Sequence, residues 1–203
     1  MNAPTALISI GLIAAGLSLL GPRPAADAEA ATVQAPDTYS VDPVHSTAIF
    51  RIKHLDVSYF YGRFNRPTGD FTFDPENPAR SSFDITLLTK NIDTHSPKRD
   101  GHLKSADFFN AKQFPEITFK STSVKKVRGD TLQVIGDLGL HGQTRQITID
   151  LQHVGSRDTG RMGQRCGFET TFTIKRSDFG MKYMLNGLGD EVTLMISLEG
   201  SKK

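Results

Sequence analysis

A strict alternation of apolar and polar residues, repeated along most of the chain, is the feature that most constrains its fold. In the segment 47–54, Phe50 and Ile52 share one face, while Arg51 and Lys53 occupy the other. A period of two with one charged face is typical of a half-buried strand. Comparable segments follow at 60–74, 82–90, 117–120, 132–140, 145–154, 168–174 and 191–198. Eight strands with mostly short connections predict an all-β protein, an eight-stranded antiparallel barrel whose interior holds packed side chains or one slim ligand.

The stretch 94–113 interrupts this alternation, because the spacing of Leu103 and Phe108 does not suit a strand. Ser96 followed by Pro97 favours a helix start, with Ser96 as the N-cap and Pro97 at the first helical position. We therefore expect a short helical insertion that lies across one end of the sheet.

Composition narrows the function classes. The 203 residues include 23% charged and 37% hydrophobic residues, which is typical of a globular protein with a core. The formal net charge is only +2 and no basic face stands out, so nucleic acid is not an expected partner. Cys166 is the single cysteine, so no intrachain disulfide forms; we expect a small buried hydrophobe, a reactive thiol being the alternative.

The N-terminus predicts export. Residues 6–20 form an almost unbroken apolar run of secretory length, and two Ala-x-Ala sites follow within 26–30. We expect a signal peptide over 1–30 and a folded domain over 39–199. No Lys or Arg precedes the apolar run, which is atypical, and retention of the segment as a weak membrane anchor is the alternative to cleavage.

Polar residues suggest sharper hypotheses. His45 and His54 are candidate metal ligands, but no His-x-His or cysteine pair supplies the three or four converging donors that a metal needs. Ser46 lacks a Gly-x-Ser-x-Gly context, so no nucleophile elbow is expected. We expect neither a metal site nor catalytic residues. Arg99, Asp100 and His102 either fasten the helical insertion to the barrel or line a portal.

An ordered series of motifs spans about 39–198: Asp42-Pro43-x-His45-Ser46, Phe50-x-Ile52-x-His54, Gly62-x-Phe64, Gly69-x-Phe71, Asp93-Thr94, Arg99-Asp100-x-His102-Leu103, Asp107-Phe108-Phe109, Phe114-Pro115-x-Ile117-Thr118-Phe119, Gly136-Asp137-Leu138-x-Leu140-x-Gly142, Arg176-x-Asp178-Phe179-Gly180 and Gly189-Asp190-Glu191-Val192. In this order the set resembles the YceI-like family of bacterial polyisoprenoid-binding proteins. The resemblance implies a lipocalin-like barrel, usually periplasmic, that encloses a long isoprenoid chain.

The residues alone leave open whether the apolar faces fill a solid core or line a cavity; the resemblance favours the cavity. The sequence has 13 Phe and no Trp, which suits a dry interior. The expected lining is Phe50, Ile52, Phe64, Phe71, Phe73, Phe83, Ile85, Phe119, Leu138, Ile147, Phe168 and Phe172. The expected polar portal is His45, His54, Arg99, Asp100 and His102.

Three function classes follow. The first is a periplasmic binding or carrier protein for a polyisoprenoid or isoprenoid quinone, held as a ligand with no other cofactor. The second is an enzyme acting on such a lipid, and the third is an interaction module that assists a membrane redox partner. Transient contact with a membrane or membrane protein is compatible with each class, and exposed strand edges could support a homodimer.

Overall fold

A computed structural model describes Met1 and residues 35–203, so the predicted signal peptide lies outside the described residues apart from Met1. Residues Ala35–Lys203 form one compact unit. Within the described residues, no helix is both long enough and apolar enough to cross a membrane.

Eleven strands run through this unit, with one α-helix between the sixth and the seventh. Their bounds are β1 Asp37–Val41, β2 Thr47–His54, β3 Ser58–Phe64, β4 Thr68–Phe73, β5 Ser82–Leu88, β6 Ile92–Asp93, α1 Pro97–Leu103, β7 Glu116–Arg128, β8 Thr131–Leu140, β9 Gln143–Asp158, β10 Gln164–Lys175 and β11 Leu188–Lys202. Every pairing between them is antiparallel.

The sheet closes because β11 pairs along one edge with two strands in succession. Its first part pairs with β2, and Gly200–Lys202 pair with β1. Strands β1 and β2 are therefore two pieces of one interrupted strand. The same holds for β3 with β4, and for β5 with β6, which pair in matching order. Counting each interrupted strand once gives a closed ring of eight, which confirms the predicted eight-stranded antiparallel barrel.

Sequence patterns located the strands but not all of their interruptions. In the segment 60–74, Pro67 and Gly69 predict a bend, and residues 65–67 do separate β3 from β4 there, because buried Pro67 lacks the N–H that a central strand needs. The break between β5 and β6 was not predicted. Strand β1 was not predicted, although its inward residues Tyr39 and Val41 are buried. It is short, and its alternation covers only two apolar positions.

The predicted helical insertion is present as α1. Ser96 is its N-cap, and the Ser96 side chain accepts a hydrogen bond from the Arg99 amide, while Pro97 occupies the first turn. Residues 105–113 continue as a series of turns that return the chain to β7. This insertion carries side chains to one end of the barrel.

The other end of the barrel interior is filled by stacked aromatic rings, and we call it the packed end. Its members are Tyr39, Phe71, Phe73, Phe83 and Phe168. Phe71 stacks on Tyr39 with ring centroids 5.1 Å apart and meets Phe168 edge-on at 5.4 Å. A Cβ at Gly200 would overlap the Phe71 ring, so glycine is needed there for the ring to lie flat on the strand. Buried side chains therefore occupy the interior at this end of the barrel.

Candidate ligand cavity

An apolar cavity of about 440 Å³ occupies the rest of the barrel interior. That volume lies within the usual range for small-molecule sites, roughly 300–1,000 Å³. Phe83 and Phe168 belong to both the packed end and the cavity lining, so they form its floor. Aliphatic side chains line much of the wall, among them Ile52, Leu87 and Leu194. The cavity is therefore blind at the packed end.

The opposite end is the mouth, which we define by the lining residues that are also solvent-exposed: His54, Ser58, Tyr59, Arg99, His102, Tyr183 and Met184. His102 Nε2 lies 2.8 Å from Asp107 Oδ2, and its ring packs edge-on against Phe108 and Tyr183. These contacts join the helical insertion to the segment before β11 across the opening. Together with His54 and Tyr59 from β2 and β3, these two segments border the mouth.

Arg99 is held at the mouth by neutral groups. Its Nε donates to Thr94 Oγ1 at 2.8 Å, and its guanidinium lies 4.3 Å from the centre of the Phe60 ring. Asp100 does not line the cavity; it accepts hydrogen bonds from the Thr94 amide and hydroxyl. Asp100 therefore fastens the start of α1, while Arg99 keeps a charged face toward the ligand space.

A second arginine lies deeper in the lining. Arg176 is buried, and it donates four hydrogen bonds of 2.8–3.0 Å to the carbonyls of Met181, Tyr183, Leu188 and Gly189. Burial lowers the pKa of the Arg176 guanidinium from its usual value, and the charge of Asp190 opposes that shift. This side chain holds the segment 181–189, one border of the mouth, in place.

The cavity lining has a one-sided electrostatic character. It includes Arg99, Arg176, His54 and His102, whereas no aspartate or glutamate lines it in the described part of the chain. A ligand group that accepts hydrogen bonds or carries negative charge is therefore favoured at the mouth, and an apolar group is favoured below it.

The structure places nine of the twelve predicted cavity residues in the lining: Phe50, Ile52, Phe64, Phe83, Ile85, Phe119, Leu138, Phe168 and Phe172. The other three lie elsewhere. Phe71 and Phe73 belong to the packed end, and Ile147 packs against the core clusters without lining the cavity. Of the predicted portal residues, His54, Arg99 and His102 are at the mouth.

His45 is not at the mouth, contrary to the sequence-based expectation. Its Nδ1 lies 2.9 Å from Asp42 Oδ2, and the Arg165 guanidinium lies 3.0 Å from the same oxygen. The bond from His45 holds the pKa of Asp42 well below its usual range and raises the pKa of His45. Asp42, His45 and Glu199 cluster within 4.8 Å, but Arg165 already supplies a positive charge there.

Several lining residues were not predicted. Phe108 and Phe109 come from the helical insertion, and Tyr183 and Met184 from the segment before β11. Neither segment has strand alternation, so period-two patterns could not indicate that they face the interior. The sequence motif that begins at Arg176 does not indicate the role of this side chain, which depends on four carbonyls from residues up to 13 positions away.

Comparisons with known sequences and known structures point to the same protein family. Residues 39–200 match the YceI-like domain. A protein named YceI from Escherichia coli O157:H7 is 45% identical over 156 residues, 77% of this chain and 81% of that protein. The crystal structure of Campylobacter jejuni YCEI protein aligns with a TM-score of 0.64 at 29% identity, covering 74% of this chain and 89% of the other.

A polyisoprenoid binding domain from Saccharophagus degradans shares the fold at only 13% identity, with a TM-score of 0.61 over 81% of this chain and 98% of that domain. The barrel, the order of the sequence motifs and the extent of the match agree. The chain belongs to the YceI-like domain family.

Proposed function

We propose that this protein is a periplasmic carrier or reservoir for a polyisoprenoid lipid, with an isoprenoid quinone as one candidate ligand. The observation that carries the proposal is the apolar cavity with two exposed donors, Arg99 and His102, at its mouth. The name of the Saccharophagus degradans domain supports the ligand class. The apolar run at 6–20 and the Ala-x-Ala sites that follow support export.

The lipid would enter tail first. Each buried methylene contributes roughly 0.8 kcal/mol, so a few isoprene units inside the cavity give substantial affinity. Ordering of a flexible chain offsets much of that gain. The floor formed by Phe83 and Phe168 limits how much of the tail is enclosed, so the head group remains near Arg99 and His102.

Lipid extraction from purified protein tests the proposal. Ala48 is 3% exposed and lines the cavity, so Ala48→Phe is expected to occupy ligand volume from within. The wild-type protein, isolated from its host and examined by native mass spectrometry, should carry a polyprenyl lipid. Ala48→Phe should carry several-fold less, and Ala48→Val an intermediate amount.

The folded state of each variant is checked by its melting temperature, so that lipid is counted per folded molecule. Wild-type protein without lipid would contradict the carrier and favour an interaction module. Lipid that is consumed on incubation would instead indicate an enzyme.

Arg99 tests the orientation of the ligand. With Arg99→Ala, retention of an isoprenoid quinone should fall about tenfold, the effect expected for one lost charge-assisted hydrogen bond. Retention of an isoprenoid hydrocarbon, which has no head group, should be unchanged. Lys112→Ala, an exposed lysine outside the lining, is the control. Equal losses for both ligands would place the head group away from Arg99.

A further inference from the structure

Exposed apolar side chains are concentrated beside the mouth. We call this surface the rim, and it consists of Leu55 and Val57 from the β2–β3 turn, Tyr59 from the start of β3, and Tyr183, Met184 and Leu185 from the segment before β11. Val57 is 81% exposed and Leu55 is 54% exposed. Tyr59, Tyr183 and Met184 also line the cavity, so the rim is continuous with the ligand site.

The two halves of the rim are joined to each other. The Leu55 amide donates to the Gly187 carbonyl at 2.8 Å. A Cβ at Gly187 would lie 2.8 Å from Met184 Cε and 3.3 Å from a Leu55 methyl group, so both side chains converge on that glycine. The rim is therefore one patch at the cavity opening.

Two rim residues occupy backbone positions that leucine and methionine rarely adopt. Leu55 has a φ of 50° and Met184 a φ of 55°, both in the left-handed region. Glycine or asparagine meets this conformation with less strain. Neither residue gains burial in return, because both side chains are exposed. Leu55 does not line the cavity either, so its apolar character has no evident use in the isolated chain.

Three lysines lie on the two chain segments that border the mouth beside β2 and β3. Lys98 and Lys104 lie in and directly after α1, and Lys182 adjoins Tyr183; within the described residues none of the three has a carboxylate partner. The aspartates of the same segments are already engaged: Asp56 with Lys53, Asp100 with Thr94 and Asp107 with His102. An apolar patch flanked by tyrosine and unpaired lysine complements the surface of an anionic bilayer.

We propose that the rim docks on anionic phospholipid membranes, placing the cavity mouth against the bilayer. Leu55, Val57, Met184 and Leu185 would enter the acyl boundary, while Lys98, Lys104 and Lys182 contact lipid phosphates. A tail leaving the bilayer could then pass into the cavity without crossing water. This inference rests on the proposed carrier function for its purpose, but the docking itself needs no bound lipid ligand.

A single introduced tryptophan tests the docking directly. Because the sequence contains no Trp, the emission of Val57→Trp reports only the rim, whatever other part of the full chain touches a membrane. Val154→Trp is the matched control, since Val154 is also exposed but lies on β9 outside the rim and the lining. The probe is a vesicle of phosphatidylcholine mixed with phosphatidylglycerol, with brominated lipid as the quencher and the full-length protein freed of bound lipid.

The tryptophan emission of Val57→Trp should shift to shorter wavelength and be quenched by the brominated lipid. The emission of Val154→Trp should neither shift nor be quenched. Replacing Lys98, Lys104 and Lys182 together by Gln should weaken vesicle affinity on the order of 100-fold. An unshifted Val57→Trp, an equal response at Val154→Trp, or equal affinity for vesicles of phosphatidylcholine alone would overturn the proposal.

Leu55→Asn separates docking from folding. Asparagine accommodates the left-handed conformation, so the melting temperature should rise while vesicle affinity falls. Unchanged affinity would remove Leu55 from the docking surface. Since no isoprenoid is present in these vesicles, docking could hold even if the lipid extraction finds no ligand, and it could fail while the carrier function holds.

Discussion

Phe71 and Phe172 project from strands of the same barrel, yet they have different surroundings. Phe71, at the packed end, is 1% exposed and contacts the rings of Tyr39, Phe83 and Phe168. Phe172 lines the cavity and is only half-buried. Aromatic rings contact one another across the packed end, whereas the lining nearer the mouth combines aromatic and aliphatic side chains around an open space. Eight strands are therefore compatible with a solid interior or a hollow one, and the way the side chains pack along the axis decides which.

The difference assigns separate tasks to the two ends. The packed end buries large apolar side chains and so stabilises the whole barrel. The cavity gives up part of that stabilisation, because its walls lack contacts on one side. Segments bordering the mouth depend instead on local hydrogen bonds, such as those of Arg176.

The largest expected difference is between the losses in unfolding free energy caused by matched truncations at the two ends. Phe71→Ala removes a ring that is surrounded on all sides, and we expect a loss of about 3–5 kcal/mol in the free energy of unfolding. Phe172→Ala opens only onto existing space, so a loss of about 1–2 kcal/mol is expected. Urea-induced unfolding of lipid-free protein measures both. Equal losses would mean that the cavity collapses around Phe172 and is not a persistent feature.

Replacing Arg176 should lower the free energy of unfolding by less than Phe71→Ala does, and the loss of structure should be concentrated at the mouth. Arg176→Met keeps most of the apolar volume but leaves the carbonyls of Met181, Tyr183, Leu188 and Gly189 without their donor, and we expect a loss of about 2–3 kcal/mol. In Arg176→Met, backbone amide hydrogen exchange should accelerate chiefly over residues 180–190. Arg176→Lys retains the charge but not the planar set of donors, so it should recover only part of the protection against exchange.

Uniformly faster exchange across the packed end in Arg176→Met would contradict the separation of the two ends. It would mean that the mouth segment and the aromatic cluster unfold as one unit.

Alternation predicted the barrel because its period of two depends only on neighbouring residues. It indicates which face a side chain occupies but not its depth along the barrel axis, which depends on the register between strands. Phe71 and Phe73 were therefore assigned to the cavity although they lie at the packed end. The assignment of Phe50 and Ile52 agreed with the structure because β2 crosses the hollow part.

The portal shows the same limit. His45 and His54 are nine positions apart around β2, which corresponds to roughly 30 Å in an extended strand. They therefore cannot both border one opening, and only His54 does so. Arg99 and His102 lie at the mouth, and the short helix that carries them has a local capping signal at Ser96. Tyr183 and Met184 belong to a segment whose position depends on the distant contacts of Arg176, which no local pattern reveals.

The smallest expected effect is on the pH dependence of stability. His153 lies against Phe73, with ring centroids 4.7 Å apart, and burial lowers its pKa, although the charge of Asp130 opposes the shift. The unfolded chain therefore binds a proton at His153 more readily than the folded protein. The contribution of His153 to stability is therefore full above the ordinary histidine pKa, about 6.5, and it declines as the pH falls below that value.

His45 provides the opposite case on the same barrel. Its pKa is raised by the bond to Asp42, so its contribution is full below the ordinary histidine pKa and is lost as the pH rises through the folded value. Between pH values of about 7.5 and 5.5, His153→Gln should reduce acid destabilisation and His45→Gln should increase it, as measured by urea unfolding. If both substitutions changed the pH dependence in the same direction, His153 would not be in an apolar environment. The aromatic packing that distinguishes the two ends would then be less complete than the ring contacts indicate.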